Sequence, residues 1–142
     1  MCATVGRGLT HGVVYDFIRK IKNNPVLEAL GSCPGSTKPY CYIDDVTDAL
    51  VLLALKEDVD KYYNIVPSDL INISQVAKSV MRGMGTNKEI VWLGDEANWS
   101  GDNNLINTLN TKLKSIGWQN KYNSKEAIVK AVQGIIKDES ND

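Results

Sequence analysis

Little in this sequence invites covalent or metal chemistry. Its three cysteines, Cys2, Cys33 and Cys41, are an odd number with no CxxC or Cys/His spacing. Neither a disulfide framework nor a zinc site is indicated, and reduced thiols are expected. The one histidine, His11, stands next to an expected helix start with no visible partner. It reads as structural, although an imidazole can be tuned toward acid–base work. No apolar run approaches the ~20 residues of a membrane helix, and the amino terminus lacks the charged and apolar regions of a signal peptide, so a cytoplasmic protein is expected, away from membranes. Sixteen basic and seventeen acidic residues leave a formal charge of -1, mixed along the chain. There is neither a basic stripe for a phosphate backbone nor an acidic tail, and nucleic-acid binding is not expected. Also missing is a glycine fingerprint of the GxGxxG or GxxGxxG kind between a strand and a helix, which would cradle a dinucleotide pyrophosphate. Gly6–Arg7–Gly8 has nothing before it long enough to be the strand, and Gly83–Met84–Gly85 falls at a helix end.

What is present is enough for one core. With 142 residues, 43% of them hydrophobic, residues 1–142 read as one domain, able to bury ~two-thirds of the unfolded surface without metal or disulfide. The breaks collect Gly, Pro, Ser, Asn and Asp at 31–39, 66–70 and 94–104, and no repeat or low-complexity segment interrupts them.

Between the breaks the periodicities are short and well punctuated. Val13, Val14, Phe17, Ile18 and Ile21 predict a helix after Thr10, stopped by Asn23–Asn24–Pro25. Strands are expected over Val26–Leu30, Pro39–Ile43, Tyr62–Val66 and Glu89–Leu93. Asp44 or Asp45 is expected to cap a helix carrying Val46, Ala49, Leu50, Leu53 and Ala54. Asn72 with Gln75, and Asn123 with Glu126, have capping-box spacing ahead of two further apolar stripes, the first ended by Gly85. Thr111 opens a short helix to Ile116, closed by Gly117. The sum is a mixed α/β (α+β) fold of four or five helices and several short strands.

Several stretches, in order, resemble the carboxy-terminal region of the extended short-chain dehydrogenases, the NAD-dependent family of nucleotide-sugar epimerases and dehydratases. Ala3-Thr4-Val5-Gly6 resembles the family's Asn-Val-x-Gly-Pro segment, with a helix following in the right place. Lys38-Pro39-Tyr40-Cys41-Tyr42-Ile43-Asp44-Asp45-Val46 resembles its basic-x-aromatic-x-Tyr-Val-x-Asp-Val motif, and Ala49 fits the alanine after it. Tyr63-Asn64-Ile65 is similar to an aromatic-Asn-aliphatic strand, Trp99-Ser100-Gly101-Asp102 to a Trp-x-Gly-Asp element, and Lys112 to Trp118 to a Lys-x-x-x-Leu-Gly-Trp signature.

The resemblance implies a division of labour. An amino-terminal Rossmann domain binds NAD and supplies a Tyr-x-x-x-Lys pair, while the carboxy-terminal part grips the nucleotide diphosphate and sugar. No such pair is visible here, since Tyr15 is followed by Arg19 at that spacing. This chain is therefore expected to bind no NAD itself, to hold no catalytic residue, and not to catalyse alone. It opens at what reads as mid-domain, as a truncated frame, an excised fragment or one half of a split gene would.

Five residues stand where the resemblance places substrate contacts. Lys38 is either a phosphate partner or a solvated lysine; Tyr40 either stacks on substrate or is a half-buried strand tyrosine. Trp99 and Asp102 either meet ring and hydroxyls or close a loop around Gly101. Thr4 occupies the place of a sugar-bonding asparagine, with shorter reach. Two departures count against tight binding. Glu96-Ala97-Asn98 fills the region where the family often has an arginine, a charge-assisted contact worth ~1.5–3 kcal/mol. Gly35-Ser36-Thr37 replaces the usual Gln/Arg pattern before Lys38.

Three readings follow. The chain is the nucleotide-sugar-binding portion of such an enzyme, and then pairs with a separate Rossmann-domain chain or with its own copies, because an unpaired strand edge at Tyr62–Val66 would seek a partner. Alternatively it is a non-catalytic remnant or protein-interaction module that keeps the fold but not the site. Thirdly it is a small standalone α/β binding protein, in which case the helix after Asp44–Asp45 need not lie beside Tyr62–Val66.

Overall fold

The computed structural model describes residues 3–94 and 105–140. Chain order is β1 (Ala3–Val5), α1 (Val13–Asn23), β2 (Leu27–Ala29), β3 (Thr37–Lys38), β4 (Tyr40–Tyr42), α2 (Ile43–Ala54), β5 (Ile71–Asn72), α3 (Ile73–Gly83), β6 (Ile90–Trp92), α4 (Thr111–Ser115) and α5 (Ser124–Glu139). The expected mixture of helices and short strands is thus observed. Among the described residues the strands form only two-stranded pairs: β1 with β4 and β2 with β6, both parallel, and β3 with β5, antiparallel.

Helix α1 buries Val14, Phe17, Ile18 and Ile21, spaced i, i+3, i+4 and i+7, so one apolar stripe faces the core. Each such side chain removed from water contributes about 1.5–3 kcal/mol. It starts at Val13, after Thr10 as expected; Gly12, at φ 84°, precedes the helix, and no side chain caps it. Its end is as expected, because Asn24 before Pro25 is extended (φ -124°, ψ 150°), as the clash with a following proline ring requires. Helices α3 and α5 begin with the two capping boxes read from the sequence. Asn72 accepts from Gln75 N at 2.9 Å and Asn123 from Glu126 N at 3.0 Å, while each partner side chain returns the bond. Helix α3 ends at Gly83, and Gly85 takes the left-handed turn beyond it. Gly83 itself permits α5 to approach, since a Cβ there would lie 2.8 Å from Val132 Cβ.

The larger core joins α1, α3 and α5 over β1, β2 and β4, with Phe17, Leu27, Tyr40, Val76, Val80, Ile128 and Val132 all buried. A smaller cluster gathers Cys41, Val46, Ala49, Ile65, Leu113 and Trp118.

Two expectations are corrected. Tyr62–Val66 is not a strand. Ile65 and Val66 are nonetheless buried, and the Val66 carbonyl accepts from Asn110 Nδ2 at 2.8 Å rather than from a ladder. Side-chain packing and one amide replace the sheet neighbour. Ile65 still packs beside Val46 and Ala49 of α2, the neighbourhood expected of that segment. Secondly, neither Asp44 nor Asp45 caps α2. The helix follows β4 directly, Tyr42 is its cap residue, and both aspartates lie in its first turn. Fully buried, Asp45 instead accepts from the backbone N–H groups of Lys121 at 2.9 Å and Tyr122 at 3.2 Å, fixing the entry to α5. Its own carbonyl accepts from Trp118 Nε1 at 3.1 Å, which ties the smaller cluster to α2.

Candidate functional site

A cavity of about 810 Å³ opens between β1, the first turns of α1, the loop at 30–36, and the β3–β4 segment. Thr4, Lys38 and Tyr40 all line it, so three of the five sequence candidates converge. The backbone explains why. In the parallel β1–β4 register Ala3 lies opposite Tyr40 and Thr4 opposite Cys41. Lys38 is held one step earlier by its pairing with Ile71 across β3–β5. Tyr40 is buried more deeply than the half-buried strand position anticipated, at 2% exposure, and its N–H donates to the buried Ser124 Oγ at 3.0 Å. Trp99 and Asp102 lie outside the described residues, as do Glu96, Ala97 and Asn98.

The cavity also has features that the sequence reading did not select. Gly12, Val13 and Val14 line it, so the uncapped first turn of α1 opens on the space. Backbone N–H groups at a helix start carry partial positive charge and favour anions. His11 stands at the same rim, exposed, in a lining position rather than a packed one. Lys20 contributes a cation, paired with Asp16 at 2.9 Å and bonded to the Glu28 carbonyl at 3.2 Å. Ser36 is buried, lines the cavity, and its Oγ has no hydrogen-bond partner among the described residues. Such a hydroxyl is costly unless a ligand or water completes it. One signal was available: Ser36 and Lys38 are two apart, and in extended chain alternate residues share a side.

The loop before β3 is shaped by Gly35. It sits at φ 77°, and a Cβ there would lie 2.6 Å from Ile73 Cβ and 3.2 Å from Trp92. Only glycine allows this backbone to press against α3 while adopting that conformation. Beyond the cavity, Tyr42 packs edge-on to Tyr122 with centroids 5.3 Å apart. Burial, and then the Asp44 carboxylate, push its phenol above the ordinary 10.0, with Lys130 pulling the other way.

Among the described residues no group of three or more His, Cys, Asp or Glu is placed to hold a metal ion. A dinucleotide cradle does not fit either. A three-residue strand does precede Gly6, but α1 begins only at Val13. Gly6 is required for packing, since a Cβ there would overlap the Ile43 side chain. No helix of the described residues is long and apolar enough to cross a membrane.

No family model matches the sequence, and no curated protein does. Solved structures match closely in shape. A UDP-galactose 4-epimerase is 30% identical, with a TM-score of 0.81 over 96% of this chain and 44% of that one. The UDP-glucose 4-epimerase of Thermus thermophilus, solved with NAD, is 25% identical, with a TM-score of 0.78 over 94% of this chain and 44% of that one. At 17% identity, the dTDP-glucose 4,6-dehydratase of Bacillus anthracis shares the fold, with a TM-score of 0.80 over 98% of this chain and 44% of that one. The chain thus spans less than half the length of the proteins it resembles. The chain is similar to the carboxy-terminal part of NAD-dependent nucleotide-sugar epimerases and dehydratases and has the fold of that part.

Proposed function

We propose that this chain binds a nucleotide-diphosphate sugar in the cavity beneath α1, as the substrate-holding portion of an NAD-dependent epimerase or dehydratase. The observation that carries the reading is the convergence of Thr4, Lys38 and Tyr40 on one cavity, together with an uncapped helix start and the unpartnered Ser36 hydroxyl. The volume falls in the ~300–1,000 Å³ range of small-ligand sites. A diphosphate would take the first-turn N–H groups of α1 and the Lys38 ammonium, both suited to its charge. Ser36 would complete its hydrogen bonding on an ester or sugar oxygen, and Thr4 would meet the sugar from β1. Trp99 and Asp102 remain assigned to ring and hydroxyl contacts by resemblance alone.

NAD and the Tyr-x-x-x-Lys pair belong, in this reading, to the part of the enzyme that the 142 residues do not contain. When bound there, the dinucleotide would supply a reversible hydride acceptor for the sugar. This chain's contribution is to bind and orient the substrate. Exposed Leu50, Val51 and Leu55 give α2 an apolar outer face for a separate Rossmann chain or a second copy. Sedimentation of the chain as a stable monomer at high concentration would count against that pairing. In this reading the chain is cytoplasmic.

The test is titration of the purified chain with UDP, UDP-glucose and dTDP-glucose by calorimetry or amide shifts. Saturable binding that weakens on Lys38→Ala and on Ser36→Ala supports the reading. No saturation at millimolar ligand removes it for the isolated chain and puts the non-catalytic interaction module in its place.

A further inference from the structure

A second cavity, of about 730 Å³, runs between α3 and α5 and shares no lining residue with the first. Its walls are basic. Lys78 and Arg82 stand four apart on one face of α3, and across the groove lie Lys121 just before α5, Lys125 in its first turn and Lys130 further along it, with Tyr122 between Lys121 and the helix. Only one carboxylate lines it, that of Glu126, which is already occupied by the Asn123 N–H of the capping box at 2.9 Å. Lys121 is paired outward with Asp48 at 2.6 Å. Lys130 rests on the Tyr122 ring, 4.8 Å from its centroid, and hydrogen bonding to that phenol holds its ammonium above the usual lysine range. Lys78, Arg82 and Lys125 have no ion pair among the described residues.

This concentration is unlike the rest of a chain whose formal charge is only -1. Like charges gathered around a concave space repel one another, and an anion seated there relieves the repulsion while the low-dielectric walls focus the field. Size selects among anions. The groove has the volume of a small-ligand site, and among the described residues no basic stripe extends from it to follow a nucleic acid. A guanidinium fork flanked by several ammonium groups suits clustered phosphate oxygens, where Arg82 takes two oxygens together and the lysines act as point charges.

We propose that the α3–α5 groove is a binding site for a small di- or triphosphate anion, separate from the substrate cavity, with Arg82, Lys78 and Lys125 as its principal contacts. The proposal does not depend on what the first cavity binds.

The experiment is titration of the full 142-residue chain with inorganic tripolyphosphate, followed by backbone amide shifts. Saturable shifts confined to Ser79, Arg82, Tyr122, Lys125 and their neighbours are expected, with affinity falling as salt rises. Arg82→Gln with Lys125→Gln, both at exposed positions, should weaken binding by about tenfold or more, the loss expected for a charge-assisted contact. Lys56→Ala removes the same kind of charge elsewhere on the surface and should leave the affinity unchanged. A parallel titration with uridine triphosphate separates the sources. Read at the same groove amides, equal affinity assigns recognition to the phosphates alone and tighter binding adds a contact to the base; tighter binding read only at residues of the first cavity counts against the groove. Three results overturn it: no saturation with tripolyphosphate, equal weakening by Lys56→Ala, or a preference for an oligoglutamate peptide over tripolyphosphate.

Discussion

Asp45 offers the sharpest test of how this fold is held. Its carboxylate is fully buried and bridges the first turn of α2 to the backbone 76 and 77 residues later, at Lys121 and Tyr122. Truncation in Asp45→Ala leaves two backbone donors without an acceptor. Each orphaned group costs about 1–3 kcal/mol. Lys121 is exposed and Tyr122 half-buried, so water recovers part of the loss. We therefore expect a destabilisation of about 2–4 kcal/mol, a large share of the roughly 5–15 kcal/mol that holds an ordinary domain together. Asp45→Asn keeps one oxygen and places an amide donor against the second N–H, so about 1–2 kcal/mol is expected. The ordering Asp, Asn, Ala is as informative as the magnitudes. Urea unfolding followed by circular dichroism reads it directly, with the midpoint of Asp45→Ala falling by about 1–2 M for an m-value near ~2 kcal/mol/M. If Asp45→Ala unfolds within about 0.5 M of the parent, the bridge is not what fixes the entry to α5, and the account given for the 118–123 segment fails.

Three further outcomes are expected. Gly35→Ala forces a side chain into the left-handed region and against Ile73, and should cost about 2–4 kcal/mol in the same unfolding assay. Asn123→Ala removes the capping acceptor of α5 and should cost about 1 kcal/mol, with Asn123→Ser restoring most of it. Tyr42 ionises above 10.0 in the folded chain, so its contribution is intact below the ordinary phenol value and is lost as pH rises through the raised one. Alkaline unfolding monitored by tyrosinate absorbance should therefore start at higher pH in Tyr42→Phe than in the parent.

The features legible in the sequence were those whose partners lie close along it. Both capping boxes were read because Asn72–Gln75 and Asn123–Glu126 are three apart and satisfy each other. The α1 stripe was read because one turn of helix brings Phe17 and Ile21 together. What the sequence hid depends on distant partners. The aspartate that resembles a cap for α2 is claimed by backbone far along the chain, and local spacing cannot show which acceptor wins. Tyr62–Val66 has the composition of a strand, but Tyr62 is exposed and only Ile65 and Val66 are buried, with Trp118 packing on the segment and Asn110 supplying a hydrogen bond in place of a ladder. Strands β3 and β5 are two residues each, too short to show a period of two. Lys38 and Tyr40, which line the cavity, were selected as candidates through a motif; Ser36, two positions before Lys38, was passed over because the motif assigns that place to other residue types.

The order in which the strands find their partners has a consequence for cutting and rejoining the chain. Residues 3–5 pair with 40–42, and residues 27–29 pair with 90–92, so the two parallel pairings interleave like two loops of a crossed lacing. A break anywhere between 30 and 39 separates the members of both pairs at once, although that segment holds exposed residues such as Ser32 and Cys33 and would suit a linker by composition. Helix α5, near the other end, packs against β1 and β4 and closes the lacing. A split-reporter or circularly permuted version should therefore be opened at 56–62, where no strand or helix is formed. That opening divides β2 from β6 and β3 from β5, but keeps β1 and β4 on one piece, as a ready seat for α5.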